Sequence, residues 1–335
     1  MIGGTFIRRL GLFMLLPVAA LGAEGGLGDA LAWLQKMARA AHQQNYEGDF
    51  VYDDGEHLDA LRIVHQGGEQ ERERIVSLNG SGREVLREGG KVSCIFPESR
   101  QIYEDTDLPG YAFQFPEADI ARLQRFYDMA VVGRDRVADR PTVVVEITPR
   151  DEFRYGYRLW LDEETALMLK SELVDPQGQV VERLMFTRLS YLDQVPEALL
   201  RPRVRTDGFQ RVVNEGRPTS AERSPWLVSW LPGGFRLTEE RRKPAAEGQP
   251  PLVQMVFGDG FSLVSVFIEP APSDEAGEGV LLDKGAVHGY SILRDGYRIT
   301  AIGELPAPAV ARIARSVRPH ELAHAQTVRP VAAAQ

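Results

Sequence analysis

His320, Glu321 and His324 spell H-E-x-x-H. On a helix, histidines four apart share a face and can hold zinc, and the glutamate between them can act as general base on a zinc-bound water. The surroundings do not support that chemistry. A catalytic zinc takes a third protein ligand, usually downstream, and no His, Asp, Glu or Cys follows His324. Pro319 precedes the motif, and an Ala-rich stretch offers no packed shell to orient ligands. The motif therefore reads as a chance match inside a tail, 320–335, and no metal is expected there.

Other reactive residue types are scattered. Cys94 is the only cysteine, so no intrachain disulfide can form, and "KVSCIF" reads as a strand that buries it. His57, His65 and His288 lie in β-rich segments, and His42 ends a helical stretch; all four read as surface or packing residues. There is no G-x-S-x-G elbow, no P-loop, and no G-x-G-x-x-G after a strand. "GDGFS" opens a strand and so reads as a hairpin turn. "EQERER" reads as a strand whose alternating charges pair on the solvent side. The expectation is a protein without catalytic residues or cofactor.

The elements that carry these residues follow from periodicity. Residues 27–42 have apolar positions at helical spacing, with Asp29 as a possible cap. From 46 to 103 the period falls to two, and "DDGE", "QGGE", "NGSG", "EGGK" and "PES" break the run into short strands. Residues 116–127 read as a helix, and strands resume from 129 to 189. About ten strands in one run must curl, close or split; curling around a helix leaves a concave apolar face. Residues 193–224 lose periodicity and read as a linker. A second unit follows, with turns at Gly258-Asp259-Gly260 and Asp295-Gly296, and a closing helix within 306–319.

The chain has 335 residues, 43% hydrophobic and 26% charged, with a formal charge of −9. The length suits two domains, and the acidic balance argues against nucleic acid as a partner. The first residues join Arg8 and Arg9 to an apolar run and small residues, the pattern of a secretory signal peptide. Removal of residues 1–23 would deliver the mature chain outside the cytoplasm, in a Gram-negative cell to the periplasm.

Several long blocks carry a resemblance: "NYEGDFVY", "RERIVSLNGSGREVLREGGKVSCIFP", the run from "LQRFYDMAVVGRDRVADRPTVVVEITP" to "VVERLMFT", "WLPGGFRL" and "FGDGFSLVSVFIEP". Together they resemble the MucB/RseB family of periplasmic regulators. The resemblance implies an α+β protein. Its large N-terminal domain (24–192) would be an unclosed antiparallel barrel with helices, similar to lipoprotein carriers. A linker (193–224) would lead to a smaller α+β domain (225–319). It implies binding to the periplasmic segment of a MucA/RseA-type anti-sigma factor. That segment is shielded from proteolysis, so an envelope-stress sigma factor stays inactive until a lipid or lipopolysaccharide-like amphiphile intervenes. Homo-oligomers are compatible with it. A periplasmic lipid or lipoprotein carrier is the alternative, and a zinc peptidase the remote one.

The candidate lipid-pocket residues are Phe50, Tyr52, Ile63, Ile75, Val145, Leu159, Leu161 and Phe186, all on strands that would face the concavity. Trp230, Phe235, Phe257, Phe261 and Phe267 are candidates for a partner-binding patch, because the small unit carries more aromatic surface than its size needs.

Overall fold

The protein is described here by a computed structural model covering residues 27–106, 120, 122–214, 224–243, 251–271 and 277–319. The expected signal peptide, His320, Glu321, His324 and the rest of 320–335 lie outside the described residues.

Helix α1 (Leu27–Gln43) opens the described chain. Asp29, expected as its cap, sits within the first turn, where its charge favours the helix dipole. Leu34, Met37, Ala30 and Ala38 form the buried stripe. Each of the two large side chains contributes about 1.5–3 kcal/mol by leaving water.

Eleven strands follow: β1 (Tyr46–Asp53), β2 (Leu58–Gln66), β3 (Arg72–Ser77), β4 (Glu84–Glu88), β5 (Lys91–Phe96), β6 (Gln101–Thr106), β7 (Tyr127–Val137), β8 (Arg140–Pro149), β9 (Gly156–Asp162), β10 (Met168–Val174) and β11 (Val180–Tyr191). Every turn inferred between 46 and 103 separates two of them. Of the helix expected over 116–127, Ile120, Arg122 and Leu123 are helical, and Tyr127 already belongs to β7.

The strands form one sheet of order β6-β5-β4-β3-β2-β1-β11-β10-β9-β8-β7. Two antiparallel meanders are thus joined by β1 pairing with β11. The outer strands do not pair with each other, so the sheet curls without closing. Its concave face and α1 enclose the main core, which includes Phe186, Val145, Leu159 and Leu161. Trp160 points the other way, where its indole N–H donates to Asp135 at 2.9 Å and Lys170 Nζ lies 3.7 Å from the ring centre.

The segment expected as a linker is partly regular. It holds the short helix α2 (Glu197–Leu200) and β12 (Gln210–Asn214). Strand β12 pairs parallel with β6 and becomes the twelfth strand of the sheet. Its low periodicity follows from its place at an edge, where alternation is not demanded.

The small unit is a six-stranded sheet of β14 (Arg236–Lys243), β15 (Leu252–Gly258), β16 (Leu263–Pro270), β17 (Gly279–Lys284), β18 (Val287–Arg294) and β19 (Tyr297–Gly303), in the order β14-β15-β16-β19-β18-β17. Asp295 and Gly296 both have positive φ, as a two-residue hairpin of this twist requires. Helix α3 (Ala307–Ser316) buries Val310, Ile313 and Ala314 against the sheet. The helical pattern reaches Pro319, but Val317–Pro319 is instead a strand, β20, paired with β13 (Trp226–Val228). Pro319 at the end of an edge strand loses no ladder bond.

Candidate functional site

The two domains meet at a buried arginine. Arg154 is wholly inaccessible. Its Nε and Nη2 donate to Asp151 at 3.0 and 2.9 Å, and Nη2 donates to the Gly233 carbonyl at 2.7 Å. Its Nη1 donates to Asp259 Oδ2 at 2.8 Å, which also accepts from the Tyr127 hydroxyl at 2.9 Å. The other oxygen of Asp259 accepts from the backbone N–H groups of Phe261 and Ser262 at 2.9 and 3.0 Å. One carboxylate thus shapes the β15–β16 turn and anchors that turn on the large domain. The rings of Phe126, Tyr127 and Phe235 surround the guanidinium. Gly234, at φ +88°, lies so close to Phe126 that a Cβ would come within 2.5 Å of its ring.

Beside this seam lies a cleft of about 810 Å³. Phe50, Tyr52, Ile75, Leu159, Met168 and Leu184 of the large domain form its apolar wall, and Phe261, Leu263, Val287 and Ile302 face them from the small domain. Two other hollows, of about 710 and 580 Å³, each belong to a single domain. Polar groups sit at defined places around the cleft. Arg83 reaches Asp59 at 3.0 Å, and Arg236 and Thr238 contribute from β14. Glu182 from the large domain and Glu304 from the small one both line the cavity. Burial, and then the charge of Glu304, push the Glu182 carboxyl up to about 7, although a hydrogen bond with Tyr52 opposes the shift. Burial also raises Glu304, which still faces the water of the cleft. Cys94 lines the same space, half-buried, and burial raises its thiol.

A mostly apolar cleft with a few polar groups in its lining suits an amphiphile or an extended peptide. No group of three or more metal-ligating side chains occurs among the described residues.

The MucB/RseB N-terminal domain profile matches residues 29–204, and the MucB/RseB C-terminal domain profile matches residues 220–318. The chain belongs to the MucB/RseB family. Over 324 residues it is 32% identical to the sigma factor AlgU regulatory protein MucB of Pseudomonas aeruginosa, covering 95% of this chain and 98% of that protein. It is 29% identical to the sigma-E factor regulatory protein RseB of Salmonella typhimurium, covering 86% of this chain and 90% of that one. Among solved structures, MucB in complex with MucA(peri) superposes with a TM-score of 0.71 at 31% identity, covering 87% of this chain and 99% of that one. A crystal structure of MucB superposes with a TM-score of 0.62 at 31% identity, covering 88% of this chain and 99% of that one.

In this MucB/RseB chain the eight candidate pocket residues divide into two sets. Phe50, Tyr52, Ile75 and Leu159 line the cleft. Ile63, Val145, Leu161 and Phe186 are deeper, at 0–1% exposure, and fill the core behind it. Alternation predicts the inward face of a strand but not how far along it the core ends.

The five aromatic candidates do not make one exposed patch. Phe257 is buried in the small-domain core. Phe261 is wedged between Tyr127 and Tyr157 of the large domain. Trp230 meets Phe153 edge to face at 5.0 Å, and Phe235 covers Arg154. These rings hold the seam between domains. Phe267 alone lies on the outer sheet face, beside the 580 Å³ hollow.

Sequence reasoning missed Arg154 and Asp259, whose contact spans 105 residues and follows no period. The hint available was an arginine among aromatics in "EFRYGY". The charges of "EQERER" are also less solvated than expected. Glu73 and Arg74 are 6% exposed, and Arg74 pairs with the buried Glu84 at 2.9 Å. Glu73 faces inward, where burial pushes its carboxyl up to about 7 against the pull of His65 and Arg87. His65 itself is buried, with Nδ1 2.7 Å from the Gln44 carbonyl and Nε2 3.2 Å from Glu71. Burial disfavours charge on the ring, but these two acceptors favour the protonated form and hold its pKa above the ordinary histidine value.

Proposed function

We propose that this chain is a periplasmic regulator that binds the periplasmic segment of a MucA/RseA-type anti-sigma factor. Bound there, it denies the segment to its protease and keeps an envelope-stress sigma factor inactive. It acts by binding and not by turnover. The observation that carries this reading is that the chain, a member of the MucB/RseB family, superposes over most of its length on MucB in complex with MucA(peri).

The release step is linkage. An amphiphile of the lipid A type enters the interdomain cleft and prefers a domain arrangement that holds the anti-sigma segment less well. It can shift the balance only by its differential affinity for the two arrangements. Phe50, Tyr52, Ile75 and Leu159 are the pocket residues assigned to it. The test is the affinity of the chain for a MucA-type periplasmic segment, titrated with and without a lipid A-type amphiphile. Weaker binding at saturating amphiphile supports the switch, and unchanged affinity removes it. No binding of the segment in either condition removes the regulatory reading itself.

A further inference from the structure

A row of directly opposed residues crosses the inner face of the first meander: Tyr46 on β1, His65 on β2, Glu73 on β3 and Arg87 on β4. The Tyr46 ring stacks on His65 at 5.1 Å. His65 and Glu73 are both buried, and Glu73 Oε1 meets no hydrogen-bond donor among the described residues. Glu71, at the end of the β2–β3 turn, spans two histidines. Its Oε1 is 3.2 Å from His65 Nε2, and its Oε2 is 3.0 Å from Nδ1 of the half-exposed His42 in the last turn of α1. The cluster sits where three segments join. Gly68 donates its N–H to the His42 carbonyl at 2.9 Å, and Gly67 packs so close to α1 that a Cβ would come within 2.4 Å of Gln43. Asn45 accepts from the Gly67 N–H at 2.9 Å and donates to the Asp193 carbonyl at 3.3 Å, where the segment leading to the small domain begins. Arg72 and Arg74 of β3 hold α2 of that same segment through Glu197 and the Leu199 carbonyl.

We propose that the His65–Glu73 pair is a proton-operated tie. Protonated, it holds the β2–β3 turn against the end of α1 and the start of the interdomain segment; deprotonated, it lets them part. A protonated ring can donate to the Gln44 carbonyl and to Glu71 together, whereas a neutral ring has one N–H for the two acceptors. An ionised Glu73 adds a second carboxylate charge beside Glu71, buried and short of a donor. Both changes have the same sign. Burial raises the Glu73 carboxyl from 4.5 to about 7, so its cost to the folded state is absent below about pH 4.5 and complete above about pH 7. Burial lowers His65, yet its acceptors hold it above 6.5, so its contribution is present below pH 6.5 and lost as pH rises through the folded value. The other groups facing the pair keep one state across this window. Burial pushes Glu71 up, but His65 and His42 hold it down to about 2. Burial keeps the Tyr46 and Tyr191 hydroxyls protonated, and Arg87 stays charged. In a compartment whose pH follows that outside the cell, as the periplasm does, the tie makes the hold on the interdomain segment a function of acidity.

Hydrogen exchange of the mature chain, corrected for intrinsic rates, reads the tie at the Gly68 amide. Its protection should fall by roughly a hundredfold from pH 5 to pH 8. That of Ala309, whose N–H donates to Pro306 in the small domain, should change by less than about threefold. Glu73→Gln cannot ionise and should cut the Gly68 change to about tenfold or less, while His42→Gln should leave most of it in place. NMR of selectively labelled histidine should show His65 with both ring nitrogens protonated at pH 5, losing one proton only above pH 6.5. Level protection at Gly68 from pH 5 to pH 8, or a His65 ring already neutral at pH 5, overturns the proposal. Neither reading needs a variant, so both decide even where Glu73→Gln does not fold. A fall that His42→Gln removes and Glu73→Gln leaves intact overturns it as well.

Discussion

Replacing Arg154 by leucine removes the cation that three separate segments share. Asp259 keeps the Tyr127 hydroxyl and two backbone donors, and Asp151 keeps the Phe153 N–H, but the charge that balanced both carboxylates is gone. Asp259 is 1% exposed, so water cannot substitute without opening the seam. Breaking a buried pair of this kind costs about 3–5 kcal/mol. At about 2–4 °C per kcal/mol for units of this size, the melting temperature falls by roughly 10 °C. Neither domain core contains the lesion, so its effect falls on docking. Calorimetry should show one cooperative transition in the wild type and two separated transitions in Arg154→Leu, and small-angle scattering should show a larger radius of gyration. Asp259→Asn leaves Arg154 with Asp151 and costs less, and the double variant falls short of the sum of the two. A single transition displaced by only a degree or two in Arg154→Leu would refute the assignment of this residue as the interdomain tie.

Glu182 has its carboxyl raised from 4.5 to about 7, so the folded state binds its proton more tightly than the unfolded one. The carboxyl therefore costs nothing below about pH 4.5, and its cost grows as pH rises to about 7. The stability of Glu182→Gln relative to wild type should climb across that window, and denaturant titrations giving a constant difference would count against it. The same neutralisation makes the cleft less polar, so amphiphile binding, followed by calorimetry, should strengthen from pH 8 to pH 6 in wild type and strengthen less in the variant, which keeps the raised carboxyl of Glu304 in the cleft. Cys94 lines the cleft and is the only thiol, so amphiphile should slow its alkylation by a maleimide severalfold; an unchanged rate would place the amphiphile elsewhere. Deleting residues 320–335 should leave both the melting temperature and anti-sigma binding unchanged, with no zinc found by metal analysis of the full chain; lost binding would give the tail a role.

The meander over 46–103 was legible because each of its turns carries glycine or proline between β-prone runs, and the hairpins at Gly258 and Asp295 were legible for the same reason. Strand β12 was not, since an edge strand paired on one side has no alternation to display. The inward faces of β8 and β9 were readable from Val145, Leu159 and Leu161. Whether an inward residue reaches the cleft or stops in the core depends on α1 and the small domain, which alternation does not encode. The aromatic residues of the small unit were conspicuous, but the destination of Trp230, Phe235 and Phe261 lay on the other domain. Asp259 looked like an ordinary turn residue because one of its oxygens is one; the second oxygen, which holds Arg154, leaves no local trace.

The β1–β11 pairing has a consequence for how the molecule is assembled. Arg188 meets Asp49 across 139 residues of chain. Strand β1 can form its hairpin with β2 early, but its other edge stays open until β11 has been delivered. For a chain threaded N-terminus first, the large domain therefore spends most of its delivery as an open ribbon, with Phe50 and Tyr52 uncovered. That interval, set by transit time more than by final stability, is when the polypeptide is most exposed to aggregation and most in need of a chaperone. The small domain has a shorter circuit: its strands from β15 to β19 lie within about 50 residues and can close soon after they arrive.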